Sequence, residues 1–368
     1  MRQCAWRSST HPSGGHPEQL CERTPVSTPD PASLREALAR RLRRRAIVTG
    51  SIAVPAVPAM LEEYVALCLD TFAAIGVTFS NDETTHLREA LESQLAQAYA
   101  ESPRSQIVIT YESPVGTVVS YHVSATWSTV DGAYEEWMST REPPYFGTSA
   151  DARVLALSDE LGDPAQCPVL DIGAGTGRNA LALARRGHPV DAIEMTAGFA
   201  AEIRAAAADE GLPVRVFDTD MFGELDGLRD DYRLIVLAEV VTDFRTTHDL
   251  ERMFALAASH LAEGGLLVFN AFVAADDYVP DDAVRHFGQQ AYSTVFTPAE
   301  FDGAVADLPL TLISDVSCFE YEQAHLPAEH WPPTSWFEGW ARGLDIFDVP
   351  AGEAPVELRW LVYRRTQP

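Results

Sequence analysis

The stretch with the clearest chemical potential is a glycine-rich turn that follows an apolar run. The run contains Asp171, and glycines then stand at alternate positions, at Gly173, Gly175 and Gly177. Glycine lets the backbone turn sharply and lets a ligand lie against bare peptide. The apolar residues at 180–184 predict a helix whose N-terminus offers free N–H groups at the same place. The stretch therefore predicts a strand, a tight turn and a helix that together bind a small ligand.

The spacing of the glycines excludes two common phosphate-binding turns. The dinucleotide fingerprint requires a glycine at the sixth position of the turn, where this chain has Arg178. A P-loop requires a lysine, and all 27 basic residues of the chain are arginines. Asp171 would also repel a pyrophosphate, whereas it would attract a cationic ligand.

Two further acids stand where a nucleoside would need them. A second predicted strand ends in Glu194, 21 residues after Gly173, which is the usual place for an acceptor of ribose hydroxyls in α/β units. A third predicted strand is followed by Asp220 and Met221. The structural alternative is a generic α/β unit in which these acids are solvated strand ends.

The elements that must position these residues alternate between strands and helices, which predicts an α/β fold with a doubly wound sheet. The seven predicted strands cover residues 169–172, 188–194, 214–217, 232–241, 266–272, 310–321 and 356–364. Helices are predicted over residues 151–161, 249–262 and 298–305. Ligands bind such sheets at the carboxyl ends of the strands, which is where the acids lie.

From about Val169 to Phe244 the chain resembles the class I S-adenosylmethionine (SAM) methyltransferases, whose first motif is acid-x-Gly-x-Gly-x-Gly. The resemblance implies a seven-stranded Rossmann-like methyltransferase sheet with an antiparallel last strand, and SAM as the cofactor. The run Gly-Thr-Gly-Arg-Asn-Ala-Leu-Ala-Leu-Ala, with Gly187 after it, is most similar to the tellurite-resistance (thiol and chalcogen) branch. The resemblance implies cofactor-binding roles for Asp171, Gly173, Gly175, Gly177, Asn179, Glu194, Met195, Asp220, Met221 and Glu239.

Methyl transfer asks the protein mainly to hold two reactants together and to exclude water. A general base is needed only if the acceptor is a hydroxyl or a protonated amine. We predict His286 as the first candidate base, with Glu239 and Asp243 as further catalytic candidates and His248 behind them. The alternative for a lone histidine is a surface or core role.

The chain in front of the predicted catalytic domain divides in two. Residues 1–58 predict a disordered, basic and proline-rich tail, although Arg44-Arg45 before an apolar segment also resembles a twin-arginine export signal. Residues 59–146 predict a small α+β unit with two helices and a hairpin, either a cap over the acceptor pocket or a dimerisation element. Residues 147–368 then form the methyltransferase domain.

Two segments have a functional and a structural interpretation. Glu142-Pro143-Pro144-Tyr145 resembles the catalytic turn of amino-methyltransferases, but we interpret it as an interdomain loop, with Tyr145 or Phe146 facing the pocket. The insertion at 322–355 holds three tryptophans within ten residues and predicts either a lid over the acceptor or a helix packed on the sheet. Pro327 interrupts the acids and histidines of this insertion, and we expect no metal site.

Composition limits the partners. The net charge is −27, so a nucleic-acid substrate is not expected, because binding it requires neutralising phosphates. The sequence has no run of 18 apolar residues, so no membrane span is predicted. The five widely spaced cysteines predict free thiols in a reducing, cytoplasmic location.

These features predict a monomeric or homodimeric SAM-dependent methyltransferase that acts on an O, N or S atom of a small organic acceptor, in specialised metabolism. The alternatives are a thiol or chalcogen methyltransferase of the detoxification type and a SAM-binding regulatory subunit without catalysis.

Overall fold

The computed structural model describes residues 30–43, 45–114, 118–128, 132 and 146–367. Two sheets are present in the described chain, a three-stranded antiparallel sheet near the N-terminus and a larger, mostly parallel sheet after it. The Glu142-Pro143-Pro144-Tyr145 segment lies outside the described residues.

The elements before the larger sheet form the N-terminal unit, whose described residues hold three α-helices and three strands. They are α1 (Pro31–Arg43), β1 (Ile47–Pro55), α2 (Leu61–Ala74), α3 (Asn81–Glu101), β2 (Gln106–Pro114) and β3 (Ser120–Thr126). Helix α3 begins where the sequence predicts, because the Ser80 side chain accepts from the Glu83 N–H and the Glu83 carboxylate accepts from the Ser80 N–H. Its apolar face, Leu87, Leu91 and Leu95, is fully buried against α2 and the sheet.

The predicted extent of the disordered tail, residues 1–58, is wrong in its second half. Residues 31–43 are helical, and β1 pairs with β2 over nine residues, from Ile47 opposite Pro114 to Pro55 opposite Gln106. Strand β1 is rich in β-branched residues, which suits a strand that covers the edge of a hairpin. The earlier residues, 1–29, lie outside the described chain.

The larger sheet and its helices follow in regular alternation. The elements are α4 (Ala152–Asp159), β4 (Val169–Ile172), α5 (Arg178–Arg185), β5 (Val190–Glu194), α6 (Ala197–Glu210), β6 (Val214–Asp218), β7 (Tyr232–Leu237), α7 (Thr247–His260), β8 (Leu261–Ala274), α8 (Asp282–Gln290), β9 (Val295–Phe296), α9 (Pro298–Val305), β10 (Leu310–Ser317), α10 (Cys318–His325), α11 (Phe337–Ala341) and β11 (Val356–Arg365). The strand order is β10-β11-β8-β7-β4-β5-β6, and the short β9 pairs with β8. The predicted α/β sheet is confirmed, with the short β9 as an eighth strand beside the seven. Its predicted antiparallel last strand is also present, because β11 runs antiparallel to both β8 and β10.

Helices cover both faces of this sheet, which makes it doubly wound. One buried cluster joins α4, α5, α6, α10 and α11 to one face, and a second joins α7 and α9 to the other. Because both faces are covered, β4 and β5 are buried along their whole length. The carboxyl ends of these strands are held rigidly by the packing on either side.

Several element boundaries differ from the prediction; β7, for example, ends at Leu237 instead of Val241. Strand β10 ends at Ser317 instead of Tyr321, because the Ser317 hydroxyl accepts from the Glu320 N–H and begins α10. Strand β8 begins at Leu261, five residues early, and the predicted Gly264-Gly265 turn is an irregularity in its pairing with β7.

No helix in the described part of the chain has the length and apolarity that crossing a membrane requires.

Glu322 of α10 joins three elements beneath the sheet. Its carboxylate accepts from the Ala152 N–H at 2.7 Å, the Arg153 N–H at 3.1 Å and the Trp360 indole N–H at 3.0 Å. An acceptor at the first turn of α4 satisfies N–H groups that have no partner within the helix. Burial, with Asp151 nearby, raises the pKa of Glu322 to about 7.

We expect Glu322→Ala to lower the free energy of unfolding by roughly 2–4 kcal/mol, because it leaves buried N–H donors without an acceptor. Thermal and urea unfolding monitored by circular dichroism measure this change. Glu320→Ala is the matched control, since Glu320 is an exposed acid of the same helix and its loss costs at most about 0.5 kcal/mol. Equal effects of the two substitutions would contradict the role given to Glu322.

Candidate functional site

The glycine turn between β4 and α5 has the backbone conformation that requires its glycines. Gly173, Gly175 and Gly177 have φ angles of +66°, +55° and +87°, in the left-handed region that other residues rarely adopt. A Cβ at Gly173 would also lie 2.4 Å from the Val240 side chain. The turn therefore brings bare backbone to the carboxyl edge of the sheet, as the sequence predicts.

Asp171 lies beneath this turn and is almost fully buried. Its Oδ2 has no hydrogen-bond partner among the described residues. Burial raises the pKa of Asp171 to about 7, with a smaller contribution from Asp151, while Arg178 and the Ala180 N–H act in the opposite direction. A buried carboxyl whose second oxygen has no partner among the described residues can accept a hydrogen bond from one more positive or donating group.

Glu194, at the end of β5, fixes the other side of the turn. Its carboxylate accepts from the Gly175 N–H at 2.7 Å and from the Thr196 N–H at 2.8 Å. These bonds align the carboxylate along the edge of the sheet. Beyond it, Asp220 Oδ1 accepts from the Phe222 N–H at 2.8 Å, and Met221 is buried beside it.

Glu239 follows β7 and has an unusual backbone. Its φ is +62°, a conformation that is costly for a residue with a side chain and that recurs at functional sites. Its N–H donates to Asn270 Oδ1 at 2.6 Å, and its carboxylate pairs with Arg178 at 3.0 Å. Burial raises the pKa of Glu239, and Arg178 opposes that rise.

Arg178 contacts several separate parts of the chain on this side of the site. Its guanidinium also pairs with Asp151 at 3.1 Å and donates to the Phe146 carbonyl at 3.2 Å. The side chain is only 9% exposed. Asp151 and Glu239 raise the pKa of Arg178 despite its burial, so the cation is permanent.

The residues above surround one cavity of about 340 Å³. This volume lies in the range typical of small-molecule sites. The cavity is lined by Phe146, Asp171, Gly173, Ala174, Gly175, Thr176, Arg178, Asn179, Glu194, Met195, Thr196, Phe199, Asp220, Met221, Phe222, Ala238, Glu239, Val240, Asp243, Phe244, Arg245 and Asp249. Every residue predicted to bind the cofactor is in this set except Gly177, which packs under the turn against Leu181 and Ile203.

The candidate catalytic residues do not all meet at the cavity. Glu239 and Asp243 line it, but His286 does not. The His286 ring lies 4.6 Å from the ring of Tyr99, in contact with the N-terminal unit, and burial lowers its pKa. His286 therefore lies outside the wall of this cavity, and its role as a base stays a prediction. His248 is exposed and contacts Glu251 at 3.1 Å.

None of the three tryptophans of the insertion lines the cavity, and two of them, Trp331 and Trp340, pack on other aromatic residues, while Trp336 is exposed. Trp340 is buried edge-on against Phe272 of β8, and its indole N–H donates to the Tyr292 carbonyl at 3.1 Å. Trp331 contacts Phe319 and Phe337. These contacts support the structural interpretation of this segment over a lid.

Several lining residues carry no signal in the sequence. Phe199 on α6 and Phe222 after β6 look like ordinary core residues, and Arg245 is one of 27 arginines. Arg178 had a signal in its place directly after the glycine turn. Phe146, predicted to face the pocket, does line it.

Comparison with known proteins agrees with this geometry for one part of the chain. Residues 169–265 match a family model described as a methyltransferase domain. Hemagglutinin 1 of Eikenella corrodens is 32% identical over 122 residues, which are 33% of this chain and 39% of that protein. Ribosomal RNA small subunit methyltransferase C of Chromohalobacter salexigens is 32% identical over 129 residues, 34% of this chain and 38% of that protein.

The chain thus spans about two fifths of the length of the curated relatives that it matches. Among solved structures, geranyl diphosphate C-methyltransferase of Streptomyces coelicolor, in complex with Mg²⁺, geranyl diphosphate and S-adenosylhomocysteine, aligns with a TM-score of 0.46 at 16% identity, over 58% of this chain and 79% of that one. A sarcosine dimethylglycine methyltransferase of Galdieria sulphuraria aligns with a TM-score of 0.44 at 16% identity, over 59% and 85%. These structural likenesses are too distant to indicate an acceptor.

The family match covers the glycine turn and the strands that carry Asp171, Glu194, Asp220 and Glu239. The part of the chain that matches the methyltransferase domain model is therefore the part that carries the glycine turn and these four acids. The proteins compared above do not confirm the thiol and chalcogen branch.

The raised pKa of Asp171 gives a testable pH dependence. The folded protein holds a proton that the unfolded chain releases near pH 4, so this contribution to stability is present below about pH 4 and is lost as the pH rises through about 7. We expect Asp171→Asn to gain roughly 1–4 kcal/mol of unfolding free energy relative to wild type between pH 4 and pH 8.

Urea unfolding at a series of pH values measures this difference. Asp209→Asn, in which an exposed acid of α6 changes, is the control and should run parallel to wild type. A parallel profile for Asp171→Asn as well would show that this carboxyl is ionised in the folded protein like any surface acid.

Proposed function

We propose that this protein uses SAM to methylate a small organic acceptor that is neutral or cationic. The methyl group goes to an O, N or S atom of that acceptor, in specialised metabolism. The proposal rests on the cavity at the carboxyl edge of the sheet and on the charges that line it.

The observation that carries the proposal is the unpartnered carboxylate oxygen of Asp171. It is buried beneath a turn of three glycines in left-handed conformations, so a ligand with a positive donor can approach it over bare backbone. SAM carries such a donor in its amino group. The residues present therefore fit SAM better than they fit a phosphate-bearing cofactor, which Asp171 would repel.

Each part of the cofactor has a candidate group in the cavity. Asp171 and the glycine turn would hold the methionine moiety, Glu194 the ribose hydroxyls, and Asp220 with Met221 the adenine. When bound, SAM supplies a methyl group on a sulfonium cation. The protein's own contribution is to fix the reactants and to keep water away from them.

Glu239 is the group best placed to orient the acceptor. Its backbone is held by Asn270, its carboxylate by Arg178, and both leave it on the cavity wall. Because burial raises the pKa of Glu239, this carboxylate is a better proton acceptor than a surface acid. Glu239 replaces His286 as our leading candidate base.

The charges of the cavity set the class of acceptor. Six carboxylates line its described wall, against two guanidinium groups. Arg178 is engaged by Asp151 and Glu239, and Arg245 by the carbonyls of Tyr99 and Ala100. This balance disfavours phosphate or carboxylate acceptors and favours neutral or cationic ones such as amines.

Ribosomal RNA, which the curated relative's name gives as its substrate, is disfavoured for the same reason. The whole chain carries a net charge of −27, and RNA binding depends on neutralising phosphates. We propose a cytoplasmic location, where SAM is made, and a monomeric or homodimeric protein.

Binding of the cofactor can be measured directly. We expect SAM and S-adenosylhomocysteine to bind with micromolar dissociation constants, measured by calorimetry, and Glu194→Gln to weaken both at least about tenfold, because an amide cannot accept from two ribose hydroxyls as a carboxylate does. Glu202→Gln on the exposed face of α6 should bind like wild type. A folded wild-type protein that binds neither compound would exclude the proposed function.

A second prediction tests the acceptor. In a screen that detects S-adenosylhomocysteine by mass spectrometry, we expect turnover with amines or neutral hydroxyl compounds and none with phosphorylated ones, because the cavity wall is acidic. Turnover with thiols or chalcogen compounds alone would place the protein in the detoxification class. Binding of SAM without turnover of any acceptor would favour a regulatory subunit.

A further inference from the structure

The loop between α3 and β2 extends one arginine from the N-terminal unit to the wall of the cavity. Arg104 forms an ion pair with Asp243, which lines the cavity, although the two residues are 139 positions apart. The two side chains are 6% and 18% exposed, so the pair is largely removed from water. An ion pair buried to this degree is strongly disrupted when one partner is removed.

Arg104 makes three further contacts on the catalytic side. Its guanidinium donates to the carbonyls of Gln289 and Gln290, the latter at 3.0 Å, and its central carbon lies 3.4 Å from the ring centre of Tyr292. These carbonyls end α8 and have no partner within that helix. One planar side chain thus ties Asp243 to the end of α8, a geometry that the fork of an arginine provides and a lysine does not.

The loop that carries Arg104 is itself rigid. The Arg104 N–H donates to Ser102 Oγ at 3.1 Å, and the Ser105 carbonyl accepts from the Ala56 N–H at 2.9 Å. Ser102 and Ser105 are buried. The backbone that carries Arg104 is therefore held by the core of the N-terminal unit.

A second arginine crosses the same interface in the opposite direction. Arg245, which also lines the cavity, donates to the Tyr99 carbonyl at 2.7 Å and to the Ala100 carbonyl at 3.0 Å, at the end of α3. Its own carbonyl accepts from the Gln289 amide at 2.7 Å. Asp243 and Arg245 are thus both fixed through the N-terminal unit and α8.

Phe244 stands between these two residues and faces the cavity. Its ring lies 5.4 Å from that of Phe222, which follows the Asp220-Met221 pair proposed for the adenine. Asp243 and Phe244 are adjacent in the chain, so a movement of the Asp243 backbone also moves Phe244. The contacts of Arg104 therefore determine the shape of the adenine end of the cavity.

We propose that Arg104 is a positioning residue of the cofactor site, and that it acts by holding Asp243 and, through it, Phe244. The N-terminal unit then contributes a positioning residue to the cofactor site of the same chain. This inference rests on the proposed function, because it concerns the same cavity.

The test is calorimetric binding of S-adenosylhomocysteine to the full chain. We expect Arg104→Gln to raise the dissociation constant about tenfold or more, and Arg104→Lys to restore part of the loss, because lysine keeps the charge without the fork. Arg88→Gln is the matched control, since Arg88 pairs with Glu62 on the surface of the same unit and touches no residue of the cavity. Its affinity should equal that of wild type.

A double-mutant cycle separates positioning from general support of the fold. If Arg104 acts through Asp243, the double variant Arg104→Gln/Asp243→Asn binds no more weakly than Asp243→Asn alone. Effects on binding that multiply in the double variant would overturn the proposal, as would an unchanged affinity of Arg104→Gln. If Arg104→Gln does not fold, Arg104→Lys and Asp243→Asn provide the comparison, and wild-type affinity in both would overturn it.

The outcome for wild type keeps the two proposals apart. Failure of wild type to bind S-adenosylhomocysteine removes the proposed function and this inference together. Binding by wild type with no loss in the Arg104 variants removes this inference alone and leaves the proposed function intact.

Discussion

The site depends on one buried cation, the guanidinium of Arg178. It joins Asp151 before α4, Glu239 after β7 and the Phe146 carbonyl, three parts of the chain that the sheet alone would not connect. The acids around it outnumber it, since Asp171 and Glu322 also contribute to the same electrostatic environment. Burial raises the pKa values of Asp171, Glu239 and Glu322; Arg178 partly opposes the rise at Asp171 and Glu239, and N–H donors partly oppose it at Glu322.

This imbalance suits a site for a cationic ligand. A pocket that already neutralised its acids would gain little from a sulfonium and an amino group, whereas one with a protonated or unpartnered acid gains a charge partner when the ligand arrives. The cost appears in the stability of the empty protein, which must bury acids without full compensation. Functional sites commonly carry such a cost, and the left-handed backbone of Glu239 belongs to the same class of strain.

Sequence alone predicted the parts of the fold that follow from local patterns. The glycine turn, the acids at the ends of β4 and β5 and the capping box of α3 are each encoded within a few residues, and all are present in the structure. Errors arose where local signals compete. Residues 47–55 are a strand only because β2 lies beside them, and Ser317 ends a strand because its hydroxyl caps a helix.

The catalytic candidates show the same limit at the level of the site. Glu239 and Asp243 follow a strand whose carboxyl end faces the cavity, so topology predicts that they line its wall, as they do. His286 was selected for its chemistry, but it lies on a helix whose packing turns it towards Tyr99. Arg104 could not be found from the sequence, because nothing in its own neighbourhood encodes a partner that is 139 residues away.

The crossed arginines also bear on how such a chain can be recombined. Arg104 belongs to one unit and pairs with an acid of the other, while Arg245 belongs to the second unit and covers helix-end carbonyls of the first. A chimera that replaced the N-terminal unit with a foreign one would bury Asp243 without its cation, and one that replaced the larger unit would leave the Tyr99 and Ala100 carbonyls without Arg245. The two units therefore depend on each other's residues. A chimera that exchanges the N-terminal unit must keep an arginine opposite Asp243 and acceptors opposite Arg245.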